Sequence, residues 1–169
     1  MKKNQKGFSL IELLIVVAII LIIAAIAIPN LLRARIAANE ASAVGSVRTI
    51  VTTNTQFYTT YGQGFAPAVA NLGGATPCAA AYANACLIDP ILTTGSKSGY
   101  SFTDVPNTGA GTVVSPYTAF EINGTPLNPG SSGQRAFCAD QSGVIHYNLT
   151  GVAIGTGAGT CAAVALVLQ

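Results

Sequence analysis

The sequence predicts an α+β protein in which one long N-terminal helix packs against a four-stranded antiparallel sheet in a disulfide-containing head. Three observations lead to this fold class. An apolar run covers residues 8–28, helical spacing of apolar residues continues to residue 61, and four runs with the two-residue period of strands follow residue 98. The predicted head therefore combines residues 31–61 with residues 62–169.

The apolar run from Phe8 to Ile28 is long enough to span a membrane as a helix. At about 1.5 Å per residue it reaches roughly 31 Å, which is about the hydrocarbon thickness of a bilayer. Three lysines lie before the run, and Arg33 and Arg35 lie after it. The excess of positive charge before the run predicts a cytoplasmic N terminus, with the rest of the chain facing outward.

The run contains one charged residue, Glu12. A carboxylate toward the middle of a spanning helix costs about 2.5 to 3.5 kcal/mol on insertion scales, and less near the membrane interface. A plain anchor has no need of such a residue. Either Glu12 lies close enough to the headgroups to reach water, or it pairs with a cation.

The segment G-F-S-L-I-E at residues 7–12, behind a short basic leader, resembles the processing site of the type IV pilin superfamily. That superfamily includes pilus subunits and the pseudopilins of type II secretion. The resemblance implies a class III leader, residues 1–7, that a prepilin peptidase removes by cutting between Gly7 and Phe8. It also implies that Phe8 becomes the N-methylated terminus and that Glu12 is the matching acid of the family.

Cleavage would create an ammonium group at Phe8, and Glu12 of a neighbouring subunit could receive it inside an apolar filament core. Removing one member of such a buried pair leaves an uncompensated charge, at a cost of about 3 to 5 kcal/mol. We therefore expect Phe8 and Glu12 to set the register in which subunits assemble.

An ordinary secretory signal is the rival interpretation of the same segment. The basic leader, the apolar run and the A-I-A at residues 25–27 would allow an A-x-A cut that discards the helix. The run is longer than the usual 7 to 15 apolar residues and carries Glu12. Both features favour the prepilin interpretation.

The second part of the helix is predicted over residues 29–61. Pro29 stands at the end of the apolar run, where it removes the hydrogen bond to the carbonyl of Ala25 and should kink or weaken the helix. Beyond it, apolar residues recur every three or four positions, which predicts an amphipathic helix with one face toward the head. These residues are Leu32, Ile36, Ala43, Val44, Val47, Ile50, Val51, Phe57, Tyr58 and Tyr61.

Glycines at residues 62 and 64 are expected to end the helix. Residues 62–97 are predicted as a connecting loop with a short helix near residues 87–92, and residues 98–169 as the sheet with a C-terminal disulfide loop. Asn-Gly at 123–124 and Pro-Gly at 129–130 suggest turns, and residues 140–143 suggest a tight hairpin. The predicted strands are Gly99–Val105, Val113–Asn123, Gln134–Asp140 and Val144–Leu149.

Four cysteines in an exported domain should be oxidised, and three connectivities are open to them. A straight helix from Cys78 to Cys86 would separate their Cα atoms by about 12 Å, beyond the ~7 Å limit for a disulfide, so a bridge there needs a bent loop. We favour Cys78 with Cys86 and Cys138 with Cys161. The second pair resembles the disulfide-bounded C-terminal loop of many pilins.

Enzymatic, metal-binding and nucleic-acid-binding functions have little support. His146 is the one histidine, the carboxylates are scattered, and no C-x-x-C or calcium-loop spacing is present. Charged residues make up 8% of the chain and the net charge is +2, without a basic patch. We expect no catalytic residue, no metal site, no cofactor and no specific nucleic-acid site.

The resemblance implies a structural subunit, most simply the major pilin of a type IV pilus that supports adhesion and twitching motility. Its partners would be further copies of the chain, the prepilin peptidase, the pilus assembly machinery and the bacterial inner membrane. The subunit would wait in that membrane as a single-pass precursor and end in an extracellular pilus. Two alternatives stay open: a major pseudopilin of type II secretion, and a membrane-anchored periplasmic binding or enzyme domain.

Overall fold

A computed structural model describes residues 8–107, 109–154 and 159–168. The chain divides into two compact units, residues 1–35 and residues 36–169. We call the second of these the head unit. The predicted leader, residues 1–7, lies outside the described residues.

The first unit contains the beginning of helix α1, Leu10–Tyr61. Its large apolar side chains from Leu10 to Leu31 are exposed. The helix includes Pro29 and continues beyond it, as the sequence predicts. By length and composition, α1 could cross a membrane.

The head unit contains the remainder of α1 and a five-stranded sheet in which every neighbouring pair is antiparallel, in the order β1-β2-β3-β4-β5. The predicted α+β class is confirmed. The predicted number of strands, four, was wrong, because Ser96–Lys97 pairs with the following strand as an additional short edge. The elements after α1 are α2 (Val69–Leu72), α3 (Pro90–Thr93), β1 (Ser96–Lys97), β2 (Tyr100–Asn107), β3 (Ala119–Pro126), β4 (Ala136–Asp140) and β5 (Ile145–Asn148).

One face of α1 and one face of the sheet form the core of the head unit. Ala43, Val47, Ile50 and Phe57 are fully buried on the helix, at the three- and four-residue spacing that the sequence predicts. They share one cluster with apolar side chains of the strands, so burial of apolar area holds the helix to the sheet. The largest strand residues in that cluster are Tyr100, Phe102, Phe120, Ile122, Phe137 and Ile145.

The predicted second strand was misplaced at both ends. Residues 113–118 are irregular, and β3 begins at Ala119 and runs through the Asn123-Gly124 pair that suggested a turn. Gly124 is accommodated in β3 because a Cβ there would lie only 3.2 Å from the Phe102 ring. Pairing with β2 and β4 and close packing against Phe102 override the local turn preference.

The connecting segment starts and ends at recognisable caps. Gly62 follows α1 with a φ of +65° and donates its N–H to the Tyr58 carbonyl at 3.1 Å, a helix end of the kind glycine favours. Helix α3 begins at Pro90, later than the predicted residue 87. The reason is Asp89, whose carboxylate accepts hydrogen bonds from the backbone N–H groups of Ile91 and Leu92.

Candidate functional site

The candidate site is the exposed apolar surface at the start of α1. Leu10, Leu13, Leu14, Val17 and Leu21 line one stripe of this surface, and all five are 45% exposed or more. Soluble monomers rarely expose contiguous apolar surface on this scale. Such a segment is suited to burial in a membrane or against partner helices.

Glu12 caps the N terminus of α1. Its Oε2 accepts a hydrogen bond from the backbone N–H of Ser9 at 2.9 Å, and the Ser9 carbonyl accepts one from the N–H of Leu13 at 3.3 Å. This arrangement is one half of a capping box, in which an acidic residue reaches back to the N–H of the cap residue three positions earlier. The carboxylate also stands where the helix dipole favours negative charge.

This capping role of Glu12 was not predicted from the sequence, where Glu12 was expected either to reach water or to pair with a cation. The signal was present, since S-L-I-E at residues 9–12 has the S-x-x-E spacing of a capping box before an apolar run. Phe8, at the edge of the described residues, is 79% exposed. Phe8 lies four positions before Glu12, whose carboxylate reaches toward the N-terminal end of the helix.

The four predicted disulfide cysteines lie in the head unit. Cys78 is bonded to Cys86, with Cα atoms 6.0 Å apart, and Cys138 to Cys161, with Cα atoms 5.8 Å apart. This is the connectivity that the sequence analysis favoured. Cys138 and Cys161 are fully buried.

His146 and Asn148 serve local structure. The Nδ1 atom of His146 lies 2.6 Å from the carbonyl of Val164, beside the C-terminal segment that runs along β5. Asn148 donates from its amide to the Val152 carbonyl at 2.7 Å and accepts from the N–H of Gly151 at 3.1 Å. Across the described residues, no group of three or more His, Cys, Asp or Glu side chains could hold a metal ion.

Three carboxylates that are scattered in the sequence are buried in the structure, and each accepts hydrogen bonds there. Glu40 accepts from backbone N–H groups near β4, and Asp104 accepts from Asn54 of α1. Glu121 accepts from the N–H of Cys161 at 3.1 Å and from the hydroxyl of Thr160, so it ties the C-terminal disulfide loop to β3. Their partners lie 39 or more residues away in sequence, so no local pattern reveals them.

A protein-family match covers the apolar start of the chain. Residues 2–28 match the family described as the prokaryotic N-terminal methylation motif. The motif spans Gly7, Phe8 and Glu12, and it confirms the resemblance to the type IV pilin superfamily that the sequence indicated for this segment.

One relative links this segment to a pilus protein. The chain is 68% identical over 38 residues to a protein of Thermus thermophilus named "Type IV wide pilus major component PilA4". The match covers 22% of this chain and 29% of the relative, so the chain spans less than a third of the length of that protein. No solved structure matches the chain.

Proposed function

We propose that this chain is the major structural subunit of a type IV pilus, assembled through its N-terminal helix after the leader is removed. The observation that carries the proposal is the methylation motif on an apolar helix whose side chains are exposed. The name of the Thermus thermophilus relative supports a pilus subunit over a type II secretion pseudopilin.

The first stage is storage in the inner membrane. The apolar segment of α1 spans the bilayer, the lysines of the leader stay in the cytoplasm, and the head unit lies on the outer side. Prepilin peptidase then cuts between Gly7 and Phe8, and Phe8 is methylated on its new amino group. Removing the leader also removes three lysines, which leaves five basic against six acidic side chains.

The second stage is transfer of the helix from lipid into a bundle of identical helices. The same apolar surface is buried before and after transfer, so hydrophobic burial holds the subunit in both environments. What changes is the environment of Glu12. In a filament core its carboxylate would receive the Phe8 ammonium of a neighbouring subunit, and a subunit docked out of register would leave both charges unpaired.

The Ser9–Glu12 hydrogen bond supports this role for Glu12. Because Oε2 is held by the Ser9 N–H, the carboxylate has a fixed position at the start of the helix before a partner arrives. A prepositioned acceptor loses less conformational entropy on binding than a free side chain does. The cap would thus prepare Glu12 for docking, and the intermolecular pair would select the register.

The test is assembly in a bacterium that builds type IV pili and from which the resident major pilin gene has been deleted. We expect surface fibres that contain this chain, visible by electron microscopy after shearing. Mass spectrometry of the subunit should find an N terminus at methylated Phe8. A mature N terminus elsewhere, or a correctly processed chain that stays monomeric in the membrane, would overturn the proposal.

Two variants of Glu12 separate its capping role from its charge. Glu12→Gln keeps an oxygen that can accept from the Ser9 N–H but has no charge, whereas Glu12→Ala loses both. We expect both variants to lose most of their fibre yield while their leaders are still removed. Leu14→Met, an apolar change on the same exposed stripe, is the control and should assemble. Normal fibre yield in Glu12→Gln would mean that the cap matters and the charge does not.

A further inference from the structure

Asp104 on β2 is a carboxylate without full hydrogen bonding in the core of the head unit. The residue is 7% exposed. Its Oδ2 accepts from the side-chain amide of Asn54 at 2.8 Å. Its Oδ1 is buried and has no hydrogen-bond partner among the described residues. A buried charged oxygen without a partner is costly, so the neutral acid is the form that suits this site.

The elements packed against Asp104 present uncharged groups to it. Asn54 faces it from α1, Ile122 is its register partner on β3, and residues 68–70 and 93–95 share a cavity of about 210 Å³ with it. None of these groups titrates. The carboxylate therefore has no neighbouring cation that would stabilise its charged form.

The charged residues on those same elements are engaged elsewhere or exposed. Glu40 of α1 is paired with Arg135, and Arg48 of α1 is exposed. Lys97 of β1 pairs with Asp89, next to α3, at 3.0 Å. On β3, the Glu121 carboxylate accepts from the Cys161 N–H.

Asn54 connects Asp104 to the segment that follows α1. While its amide nitrogen donates to Asp104, its Oδ1 accepts from the backbone N–H of Ala66 at 2.7 Å. Asn54 and Ala66 are both fully buried. One side chain of α1 thus bridges β2 and the connecting segment, and each bond of the bridge depends on the other because Asn54 supplies both.

We propose that Asp104, Asn54 and the Ala66 N–H form a pH-responsive latch that closes the connecting segment over α1 and β2 when Asp104 is protonated and loosens when it ionises. The latch lies within the head unit and does not depend on the proposed filament function. Loosening lets water reach the carboxylate through the adjoining cavity, at the expense of the Asn54–Ala66 bond.

Burial raises the pKa of Asp104 from its ordinary 3.8 to about 7, against the smaller lowering effect of the Asn54 hydrogen bond. The direction of the pH effect follows from the difference in pKa between the closed and opened states. Between about pH 4 and 7 the opened state loses its proton while the closed state keeps it, so closure weakens as pH rises. Above about pH 7 both states are ionised and the effect is constant, and below about pH 4 both are protonated.

Hydrogen exchange of the Ala66 amide in the full chain, held in detergent micelles, tests the latch. After correction for the intrinsic exchange rate, we expect the opening constant of this amide to rise about 50-fold between pH 5 and 7 and only about twofold more above pH 7. The Tyr147 amide, which donates to the Leu166 carbonyl at 2.9 Å, is the reference. The opening constant of the Tyr147 amide should rise much less, because this amide lies in β5 and not in the segment that the latch holds.

Two variants with equal charge complete the experiment. Asp104→Asn mimics the neutral acid and should abolish the pH dependence at Ala66, while Asp140→Asn, an equal change of charge on β4, should leave it intact. Carbon-13 titration of the wild-type Asp104 carboxyl gives a readout that needs no variant, with an expected midpoint near pH 7. A midpoint near pH 4, an unchanged opening constant at Ala66, or equal rises at Ala66 and Tyr147 would each overturn the proposal.

Discussion

Glu40 and Arg135 are joined by an ion pair of 2.7 Å between Oε2 and the guanidinium, which connects α1 to the residue before β4. The Nε atom of Arg135 also donates to Oε2 at 2.8 Å, and Oε1 accepts from the backbone N–H groups of Gln134 and Arg135. The guanidinium lies over the rings of Phe137 and Tyr147, at 5.6 and 5.4 Å from their centroids. One carboxylate therefore holds the helix, the strand and a stacked cation together.

Replacing Glu40 with alanine should destabilise the head unit by about 2 to 4 kcal/mol. It leaves two backbone N–H groups and a partly buried guanidinium without their acceptor. The figure lies below the usual cost of breaking a fully buried pair because the Arg135 side chain is 34% exposed and reaches water. Urea unfolding of the full chain in micelles would measure the change. Glu40→Gln keeps a neutral acceptor and should cost less, and equal losses in the two variants would contradict this account.

The loss of head-unit stability at low pH should depend on Glu40. Burial raises the pKa of its carboxyl, but the hydrogen bonds from Gln134 and Arg135 and the charge of Arg135 outweigh burial and lower the pKa below 4.5. The stabilisation is therefore present above pH 4.5 and is lost as pH falls through the lower, folded-state pKa. The difference in urea midpoint between wild type and Glu40→Gln should shrink from pH 6 to pH 3. A difference that is constant over this range would show that the charge of Glu40 does not contribute.

Removal of the two disulfides should have unequal effects. The Cys138–Cys161 bridge closes 23 residues and the Cys78–Cys86 bridge closes 8, and loop entropy alone gives about 3.4 and 2.5 kcal/mol respectively. Alanine pairs are suitable replacements because serine hydroxyls would be buried unpaired at Cys138 and Cys161. Thermal unfolding of the two double variants should rank Cys138→Ala/Cys161→Ala as the less stable. The reverse order would mean that the C-terminal loop is held by Glu121 and not by the bridge.

Gly64 and Gly143 provide a matched test of backbone contact. Both have positive φ, +92° and +77°, so alanine at either should cost about 1 to 2 kcal/mol in conformational strain. A Cβ at Gly143 meets open space, whereas one at Gly64 collides with the backbone of Tyr117. Gly64→Ala should also break the hydrogen bonds that Tyr117 makes with Gln63 and Phe65, which adds about 2 kcal/mol. Equal unfolding free energies for the two variants would contradict the Gly64–Tyr117 contact.

Much of the head unit could be predicted because its signals are local. The four- and three-residue spacing of Ala43, Val47 and Ile50 marks the buried face of α1, and the glycine after Tyr61 marks its end. The hairpin between β4 and β5 was readable from residues 140–143, where the N–H of Gly143 donates to the Asp140 carbonyl at 3.0 Å. In each case the responsible interaction joins residues a few positions apart.

Other features could not be predicted because distant residues decide them. The turn preference of Asn123-Gly124 gives way to packing against Phe102, and β1 exists as a strand only because β2 offers it hydrogen bonds. The predicted cleavage, methylation and register roles of Gly7, Phe8 and Glu12 remain predictions of the motif.

By itself the sequence determined an apolar helix with one acid near its start, an oxidised head and the order of its main elements, because chain periodicity and composition carry that information. Only the tertiary structure decided that Glu40 pairs with a cation and that Asp104 is buried beside a neutral amide. Glu40 meets Arg135 and Asp104 meets Asn54 across 95 and 50 residues of chain. The physical reason is that desolvation and hydrogen bonding, which set the free energy of a buried charge, depend on neighbours that folding alone brings together.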